Sequence, residues 1–538
     1  MVEGQLVDEL VAKYCTTRGY RYSYGTAGFR DDAGRLDTVM FATGIIACLR
    51  SIALDGKPVG VMITASHNPA SDNGVKIVEP DGSMLVQTWE TRATELANLI
   101  SSGSAAEIRR RIAELVTSAA DVRPRLVIGR DSRVSGPHLL ECLLGSANSL
   151  FQAQIKDYGL VTTPQLHYLT SRSLSVDGPV EEEDYFVDFS SAWNEITRLH
   201  DVERLPSAGL VVDCANGIGG PKMHSFIPRC RVLSEATTVI NDNCADALSL
   251  NRGCGADFVK TNQRLPDGIR DTDGDSRLYC SFDGDADRVV FYYLNEDNRF
   301  QLLDGDRISA LFAYFIAQLL EQSGLRSVLS MGVVQTAYAN GSSTQYLQNH
   351  LKVPVTCTKT GVKHLHHEAV THYDIGIYFE ANGHGTVIFS DHFYATLRTQ
   401  THNSLATKTL KLLPQLINQT VGDAISDMLG VLAVLSILKW SPARWANEFT
   451  DLPNLLIKVI VPDRSQFITT DQERKLISPE GLQEKIDKAV SKFHSARSFV
   501  RASGTEDAVR VYAEAATQQE ANELSAIVSK LVLESCYK

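Results

Sequence analysis

Short apolar runs alternate along the chain with longer segments in which apolar residues recur at helical spacing. Each run ends in polar or glycine-containing residues, as buried strands do where they enter a loop. The pattern predicts strands at 59–64, 126–129, 209–213, 278–282, 327–334, 375–379 and 455–461. A last helix is predicted from an apolar face formed by Ala521, Leu524, Val528 and Leu531. Strands and helices in alternation are typical of the α/β class.

Two stretches interrupt this alternation. Residues 177–184 are acidic and contain Gly178 and Pro179, which predicts an exposed insertion or linker. The pattern changes again between Trp440 and Leu452, where Pro442 precedes a new series of strands. A chain of 538 residues is too long for one core, so about three or four domains are expected.

Composition limits the classes of function. Lys and Arg total 52 against 64 Asp and Glu, so the net charge is -12 and no general basic field for nucleic acid is expected. The ten cysteines form no CxxC pair, which argues against a zinc ribbon or a secreted disulfide scaffold. The longest apolar stretch, 428–438, is far shorter than a membrane span. We therefore expect a cytoplasmic protein that binds neither nucleic acid nor membranes.

A serine follows the strand predicted at 59–64. The loop reads TASHNP at 64–69, and its proline prevents the strand from continuing. The hydroxyl of Ser66 is a weak nucleophile unless a neighbour activates it, and both His67 and Lys76 are candidates. A solvated surface turn is the alternative interpretation.

A second loop places three carboxylates at alternate positions between two predicted strands. It reads DGDADR at 283–288. Carboxylates bunched in this way repel one another unless a cation lies among them, and hard oxygen ligands suit Mg²⁺ or Ca²⁺. An EF-hand is excluded because Leu294 occupies the twelfth position, where a glutamate is required. The remaining alternative is an acidic hairpin turn.

Three further loops carry polar or charged groups. Residues 380–385 read EANGHG, whose Glu380 and Asn382 suit sugar hydroxyls, with His384 available for proton transfer or phosphate binding. Residues 501–507 read RASGTED and are followed by Arg510, a set of donors that can cradle phosphate. A small-residue turn at 25–30 ends in Arg30. Each of these loops alone is also compatible with an ordinary turn.

Together, and in this order, the loops resemble those of the α-D-phosphohexomutase superfamily, over essentially the whole chain. The resemblance implies an α/β fold of four domains around a central cleft, three with similar mixed sheets and a smaller C-terminal α+β domain that binds phosphate. The implied domains are 1–182 with the phosphoserine loop, 183–298 with the metal-binding loop, 299–440 with the sugar-binding loop, and 441–538 with the phosphate-binding loop.

The resemblance also implies an activity. An intramolecular phosphotransferase of the isomerase class would interconvert N-acetylglucosamine 6-phosphate and N-acetylglucosamine 1-phosphate. It would use a phosphoserine and a 1,6-bisphosphate, on the route to UDP-N-acetylglucosamine in amino sugar metabolism. Asn382 favours the N-acetylated sugar, since glucose and mannose mutases more often carry serine there. The alternatives are a glucose or mannose phosphate mutase of the same fold and a non-catalytic phosphosugar-binding protein.

Roles for individual residues follow from the same resemblance. Ser66 would be the phosphoserine, and His67, Arg30 and Lys76 would assist catalysis. Mg²⁺ would be held by Ser66, through its phosphate, and by Asp283, Asp285 and Asp287. Substrate-binding residues would be Arg288, Glu380, Ala381, Asn382, His384, Arg501, Ala502, Ser503, Gly504, Thr505 and Arg510.

One position departs from the family pattern. Ala502 replaces a usual proline, so the last loop is expected to be less rigid before substrate arrives. The implied partner is a small phosphosugar, and the chain is expected to be a monomer or a weak dimer.

Overall fold

The computed structural model describes residues 4–117, 122–269, 277–400, 403–503 and 507–536. Strands and helices alternate along it, as the hydrophobic pattern predicts. The chain divides into two compact units. The first comprises Met1–Asp304, Asn382–Thr386 and Lys408–Pro442, and the second comprises Gly305–Ala381, Val387–Thr407 and Ala443–Lys538.

Two five-stranded mixed sheets lie in the first unit. Their strands are β1 (Phe29–Asp32), β2 (Pro58–Ile63), β3 (Asp72–Val78), β4 (Arg125–Arg130), β5 (Gln154–Leu160), β6 (Leu210–Asp213), β7 (Thr237–Ile240), β8 (Leu278–Phe282), β9 (Val289–Leu294) and β10 (Phe300–Leu303). The sheet orders are β1-β3-β2-β4-β5 and β10-β9-β8-β6-β7. Strands β2, β4 and β5 are parallel, so the loops that follow β2 and β4 leave the same edge of the sheet.

The remaining strands form a mixed sheet, a small antiparallel sheet and a hairpin. They are β11 (Met331–Thr336), β12 (Val355–Thr358), β13 (Ile375–Phe379), β14 (Gly385–Phe389), β15 (Asn454–Ile460), β16 (Ile468–Thr470), β17 (Lys475–Ser478), β18 (Arg497–Ala502) and β19 (Ala508–Glu514). The orders are β12-β11-β13-β14 and β15-β19-β18, and β16 pairs with β17.

Helices connect and cover these sheets. They are α1 (Gly4–Tyr14), α2 (Asp37–Ala53), α3 (Gln87–Ser102), α4 (Ala105–Thr117), α5 (Gly136–Phe151), α6 (Thr163–Ser175), α7 (Glu182–Leu199), α8 (Gly219–Phe226), α9 (Leu233–Ala236), α10 (Ala256–Asn262), α11 (Gly305–Ser323), α12 (Gly341–Gln345), α13 (Val362–His372), α14 (Asp391–Thr399), α15 (Leu405–Leu416), α16 (Ala424–Leu438), α17 (Pro442–Ala446), α18 (Leu482–Val490) and α19 (Gln518–Ser535).

The predicted strands agree closely with the observed ones. Those at 278–282 and 375–379 match β8 and β13, and four others differ by no more than one residue at each end. The strand predicted at 327–334 is the exception, because β11 begins only at Met331. Residues before it form a helical turn, in which the N–H groups of Val328 and Leu329 donate to the carbonyl of Leu325. An apolar run alone does not distinguish such a turn from a strand.

The linker predicted at 177–184 is wrong in its second half. Helix α7 begins at Glu182, within that stretch. A capping box stabilises this start, because Glu181 and Asp184 each accept a backbone N–H from the other. The acidic residues are favourable there since they lie in the first turn, next to the positive end of the helix dipole.

The C-terminal helix agrees with its predicted face in part. Ala521, Leu524 and Val528 of α19 are buried, whereas Leu531 is only partly buried and Val532 is buried instead. The apolar stretch 428–438 lies in α16, which is buried from Ala424 to Ser436. Across the described ranges, no helix combines the length and apolarity needed to cross a membrane.

The predicted domain boundaries at 182/183, 298/299 and 440/441 stay predictions. The chain passes for the last time from the first unit to the second between Pro442 and Ala443, two residues after the boundary predicted at 440/441.

Candidate active site

Ser66 lies in the turn that follows the buried strand β2. Its φ of 52° is in the left-handed region, and its side chain is only 1% exposed. The backbone N–H of Ser66 donates to Thr64 Oγ1 at 3.0 Å, which fixes the turn. The hydroxyl donates to Asp283 Oδ2 at 2.5 Å and lies 3.4 Å from Asp287 Oδ1. The predicted serine and metal loops therefore meet within the first unit.

The aspartate loop is the tight connection of the β8–β9 hairpin. Asp283, Asp285 and Asp287 are all buried, and one carboxylate oxygen from each lies within 4.8 Å of the others. The backbone N–H groups of Asp287 and Arg288 donate to Asp283 Oδ1 at 3.1 and 3.2 Å. Ala286 turns the loop with a φ of 56°. The three carboxylates converge because the loop backbone itself holds them.

Asp285 offers the strongest sign that a cation fits here. Its Oδ2 accepts from Thr163 Oγ1 at 2.6 Å, and its backbone carbonyl accepts from the Thr163 N–H at 3.1 Å. Its other oxygen, Oδ1, is buried and has no hydrogen-bond partner among the described residues. A buried carboxylate oxygen without a partner is costly unless a ligand satisfies it. Three carboxylates and an orphaned oxygen suit a hard divalent cation.

The charges in this loop are uneven. Burial, followed by the neighbouring Asp287 and Asp285, raises the pKa of Asp283 well above its usual range. Burial also opposes ionisation of Asp287, but Lys76, His384 and Arg288 together hold the pKa of that carboxyl well below its usual range. The two carboxyl pKa values are therefore shifted in opposite directions within one loop.

Three predicted cations surround the carboxylates and the serine. Lys76 Nζ lies 3.1 Å from Asp287 Oδ2 and 3.5 Å from Asp285 Oδ2. Arg288 donates to Asp257 Oδ1 at 3.0 Å, and Arg30 donates to Asn68 Oδ1 at 3.0 Å. Burial and then the like charge of Arg288 lower the pKa of Arg30. An anionic group among these cations would relieve that repulsion.

His67 is largely shielded from solvent next to Ser66. Its Nε2 lies 3.8 Å from Asp257 Oδ2, and its buried Nδ1 has no hydrogen-bond partner in the described part of the chain. Burial, then the charge of Arg288, lowers the pKa of His67 to about 4. The imidazole is therefore neutral at pH 7.

The sequence reasoning missed an ion pair that holds the serine turn. Arg133, whose side chain is fully buried, donates to Asp131 Oδ2 at 3.0 Å. The same guanidinium donates to the carbonyls of Ser66 and Asn68 at 2.9 and 3.0 Å, and to that of Pro69 at 2.7 Å. Asp131 follows β4 directly, so an acid and an arginine at the end of a buried parallel strand were the available signal.

Two other contacts with the serine loop and its cations also escaped the sequence reasoning. Asn251 Nδ2 donates to the carbonyl of Ser66 at 3.0 Å. Asp257, on the first turn of α10, binds Arg288 and faces His67. Both residues lie between β7 and β8, Asn251 in a turn and Asp257 in α10, and only their long-range pairing reveals the role.

The sugar loop 380–385 crosses from the second unit to the first. In the first unit, the His384 N–H donates to Asn382 Oδ1 at 3.0 Å, and His384 Nδ1 lies 2.5 Å from the carbonyl of Asp287. The Val289 N–H donates to the carbonyl of Gly383 at 3.2 Å. In the second unit, Glu380 follows β13 and accepts from the Gly361 N–H at 3.3 Å, next to the partly buried Ala381.

The phosphate loop joins β18 and β19 in the second unit. Arg501 and Arg510 are directly opposite each other in the register of these strands. The Ser503 N–H donates to the carbonyl of Ala508 at 2.8 Å, which extends the ladder past Ala502. Gly504 and Thr505 lie outside the described residues. The two arginines are thus held on one sheet at the base of the predicted loop.

Four family models match separate parts of the chain. They are "Phosphoglucomutase/phosphomannomutase, alpha/beta/alpha domain I" at 39–104, "Phosphoacetylglucosamine mutase AMG1, domain II" at 177–290, "Phosphoacetylglucosamine mutase AMG1, domain III" at 304–440, and "Phosphoglucomutase/phosphomannomutase, C-terminal domain" at 456–531. Together the matches extend over more than half of the chain, in the order expected of four domains.

Complete proteins are also similar. Phosphoacetylglucosamine mutase of Saccharomyces cerevisiae is 58% identical over 521 residues, which is 93% of each chain. A solved structure of Aspergillus fumigatus N-acetylphosphoglucosamine mutase, in complex with GlcNAc-6P and magnesium, has a TM-score of 0.91 at 44% identity and covers 99% of both chains. An N-acetylglucosamine-phosphate mutase in its substrate complex has a TM-score of 0.90 at 49% identity, covering 98% of this chain and 99% of its own.

The fold and the serine–aspartate site define a mutase of the α-D-phosphohexomutase superfamily, as the sequence predicted. Sequence identity over nearly the full length of the relatives identifies the family within this superfamily. The chain belongs to the phosphoacetylglucosamine mutase family. The predicted superfamily and α/β fold class are thereby confirmed.

Proposed function

We propose that this chain interconverts N-acetylglucosamine 6-phosphate and N-acetylglucosamine 1-phosphate through a phosphorylated Ser66. The observation that carries the proposal is the position of the Ser66 hydroxyl, 2.5 Å from Asp283 within a buried group of three carboxylates. A serine held in a left-handed turn at such a site is placed for chemistry rather than for packing.

Mg²⁺ is the cation that we assign to the aspartate trio. Asp283, Asp285 and Asp287 would hold it together with an oxygen of the phosphoserine, and Asp285 Oδ1 is an unsatisfied ligand atom available for it. When bound, the ion would stabilise the developing negative charge on the serine oxygen. Magnesium is present in the related Aspergillus fumigatus structure.

Charge counting supports a phosphoryl group at this place. Three carboxylates and one Mg²⁺ leave one net negative charge, and a phosphoserine adds about −1.5 to −2 at neutral pH. Arg30, Lys76 and Arg288, which surround the trio, bring the total close to zero. The site therefore accommodates a phosphoryl group without a large electrostatic cost.

The reaction then proceeds as two reciprocal transfers. The bond between phosphorus and the Ser66 oxygen breaks as phosphorus bonds the free hydroxyl of the sugar monophosphate, which gives a 1,6-bisphosphate. The hydroxyl proton passes to a base, and His67, which adjoins Ser66 in the chain, is the acceptor that we assign. The bisphosphate then reorients within the site, and the other phosphate is transferred from the sugar to Ser66. Lys76 and Arg30 stabilise the transferring group by charge.

Recognition of the substrate is assigned to the other loops. Glu380 and Asn382, with Ala381 between them, bind sugar hydroxyls and the N-acetylated ring, and His384 and Arg288 complete that set. The phosphate that is not reacting is bound by Arg501, Arg510 and the backbone of residues 502–505. Two arginines facing each other on one sheet can accept phosphate from either end of the sugar.

The preference for the N-acetylated sugar is tested by comparing kcat/KM for the 6-phosphates of N-acetylglucosamine and glucose, with Mg²⁺ present. We expect the N-acetylated substrate to be preferred by at least about tenfold, the ratio given by one well-placed contact. Equal values, or a preference for glucose 6-phosphate, would assign the chain to a glucose mutase of the same fold.

We also infer the cellular setting. All ten cysteines lie in the described residues and none forms a disulfide, which fits a reducing compartment such as the cytoplasm. A net charge of -12 fits a protein that binds phosphosugar in a local pocket and does not bind nucleic acid. The monomeric or weakly dimeric state stays a prediction.

A further inference from the structure

The turn between β16 and β17 has an unusual backbone. Asp471, Gln472 and Glu473 have φ values of 51°, 55° and 70°, so three consecutive residues other than glycine are left-handed. This conformation is unfavourable for residues that carry a Cβ, and it persists only where the surrounding structure compensates for it. The contacts of Glu473 show what the turn achieves.

One carboxylate joins two separate parts of the second unit. Glu473 Oε1 accepts from Arg501 Nε at 2.9 Å, and its side chain is only 14% exposed. Glu473 Oε2 accepts from the backbone N–H and from the hydroxyl of Thr360, at 2.9 and 2.6 Å. The Glu473 carboxylate therefore connects three donors by hydrogen bonds: the guanidinium of Arg501, and the hydroxyl and backbone N–H of Thr360.

The next residue along the chain extends this connection. The N–H of Gly361, just before α13, donates to Glu380 Oε1 at 3.3 Å. Two successive backbone amides thus hold two different carboxylates, those of Glu473 and Glu380. A continuous series of hydrogen bonds and one peptide bond runs from Arg501 to Glu380, entirely within the second unit.

We propose that Glu473 is a positioning residue that orients the phosphate-binding Arg501 and couples it to the sugar-binding Glu380. The proposal rests on the function proposed above for those two residues. A carboxylate on Nε fixes the rotation of the guanidinium, and with it the direction of the two terminal NH₂ groups. The distance between the bound phosphate and the bound sugar ring is then set before substrate arrives, which reduces the ordering needed on binding.

A competing role makes the opposite prediction. Glu473 could instead occupy Arg501 as an internal stand-in for phosphate, displaced when substrate arrives. Removing its charge would then strengthen substrate binding, whereas removing a positioning residue weakens it. The sign of the change in affinity decides between the two roles.

The test compares Glu473→Gln with Glu480→Gln, an exposed carboxylate seven residues further along the same segment. Affinity for N-acetylglucosamine 6-phosphate is measured by calorimetry, and KM and kcat are measured alongside. We expect Glu473→Gln to raise Kd and KM about tenfold, as for the loss of one charged hydrogen bond, with kcat changed less than about twofold. Glu480→Gln should match the wild type. Unchanged or tighter binding by Glu473→Gln would overturn the proposal.

Two further variants separate positioning from general destabilisation. Thr360→Val keeps the side-chain shape and removes one donor to Glu473, so it should weaken binding in the same direction by a smaller factor. The double variant of Glu473→Gln with Glu380→Gln should lose less affinity than the product of the two single losses, because the residues act as one unit. Strictly multiplicative losses would contradict the coupling.

Binding and turnover are measured separately, so the two proposals fail in different ways. A wild-type protein that binds the monophosphate but does not convert it would contradict the proposed function, while the Glu473 comparison would still be answered. Normal turnover with unchanged affinity in Glu473→Gln would contradict only the positioning role.

Discussion

The serine–aspartate region of the first unit and the phosphate region of the second unit are built differently. Ser66, Asp283, Asp285 and Asp287 are at most 5% exposed. In the phosphate region, the side chain of Arg501 is 26% exposed, and Ala502, Ser503 and Arg510 are also partly exposed. The groups proposed to react are buried and fixed from several sides, whereas those proposed to bind the other phosphate remain partly accessible.

The difference corresponds to the two tasks that the proposed reaction requires. Phosphoryl transfer depends on charges that are in place before the reaction, in a site that excludes water. Binding the other phosphate requires only that two arginines accept it from either end of the sugar. One of them, Arg501, donates to the partly buried carboxylate of Glu473.

The largest effect is expected where the serine turn is fixed by a buried charge. Arg133→Met should lower the free energy of unfolding by about 3–5 kcal/mol, because Asp131 is left buried without its partner. Turnover should fall as well, since Arg133 holds the carbonyls of Ser66 and Asn68. Urea denaturation, read at the first unfolding transition, measures the stability change.

A matched control lies three residues earlier, at the end of β4. Arg130 pairs with Asp157 at 3.3 Å in a partly exposed position. Arg130→Met should cost less than about 1 kcal/mol, as is usual for ion pairs near the surface. If both variants lost the same stability, the contrast between a buried and an exposed pair would be wrong.

A smaller effect, confined to binding, is expected in the phosphate region. Arg510→Ala should weaken affinity for the monophosphate by about 1.5–3 kcal/mol, the usual contribution of a hydrogen bond to a charged group. KM should rise while kcat at saturation changes little, because Arg510 is assigned to binding of the phosphate that does not react. Lys475→Ala, an exposed cation of the same unit, serves as the control. A loss in kcat alone would place Arg510 in the chemistry instead.

The smallest effect is expected at Ala502. Ala502 lies opposite Val509, and the N–H of the next residue, Ser503, donates to the carbonyl of Ala508. In an antiparallel pair, hydrogen-bonded and non-hydrogen-bonded positions alternate, so the Ala502 N–H points away from β19. Strand β18 is at the edge of its sheet, so a proline there removes no ladder hydrogen bond. Ala502→Pro should therefore stabilise the protein by about 0.4–1 kcal/mol, measurable by thermal unfolding. Destabilisation would show that this N–H has a partner or that the backbone does not suit proline.

The loops of the candidate site could be predicted from the sequence because each is a local pattern. The serine, aspartate and sugar loops each follow a buried strand, and β8 and β13 were predicted without error since continuous apolar runs mark such strands. Arg133 and Glu473 were missed because their roles depend on partners far away in sequence. Glu473 is 113 residues from Thr360, and no local pattern indicates that pairing.

The central claim is that Ser66 carries the phosphoryl group. Mass spectrometry of the purified enzyme, with peptide mapping, measures the fraction phosphorylated at Ser66, and the same samples are assayed for turnover with Mg²⁺. The account predicts one phosphate at Ser66, activity in proportion to that fraction, and none in Ser66→Ala although it still binds the monophosphate. Full turnover by enzyme that lacks phosphate at Ser66, or by Ser66→Ala, would contradict it.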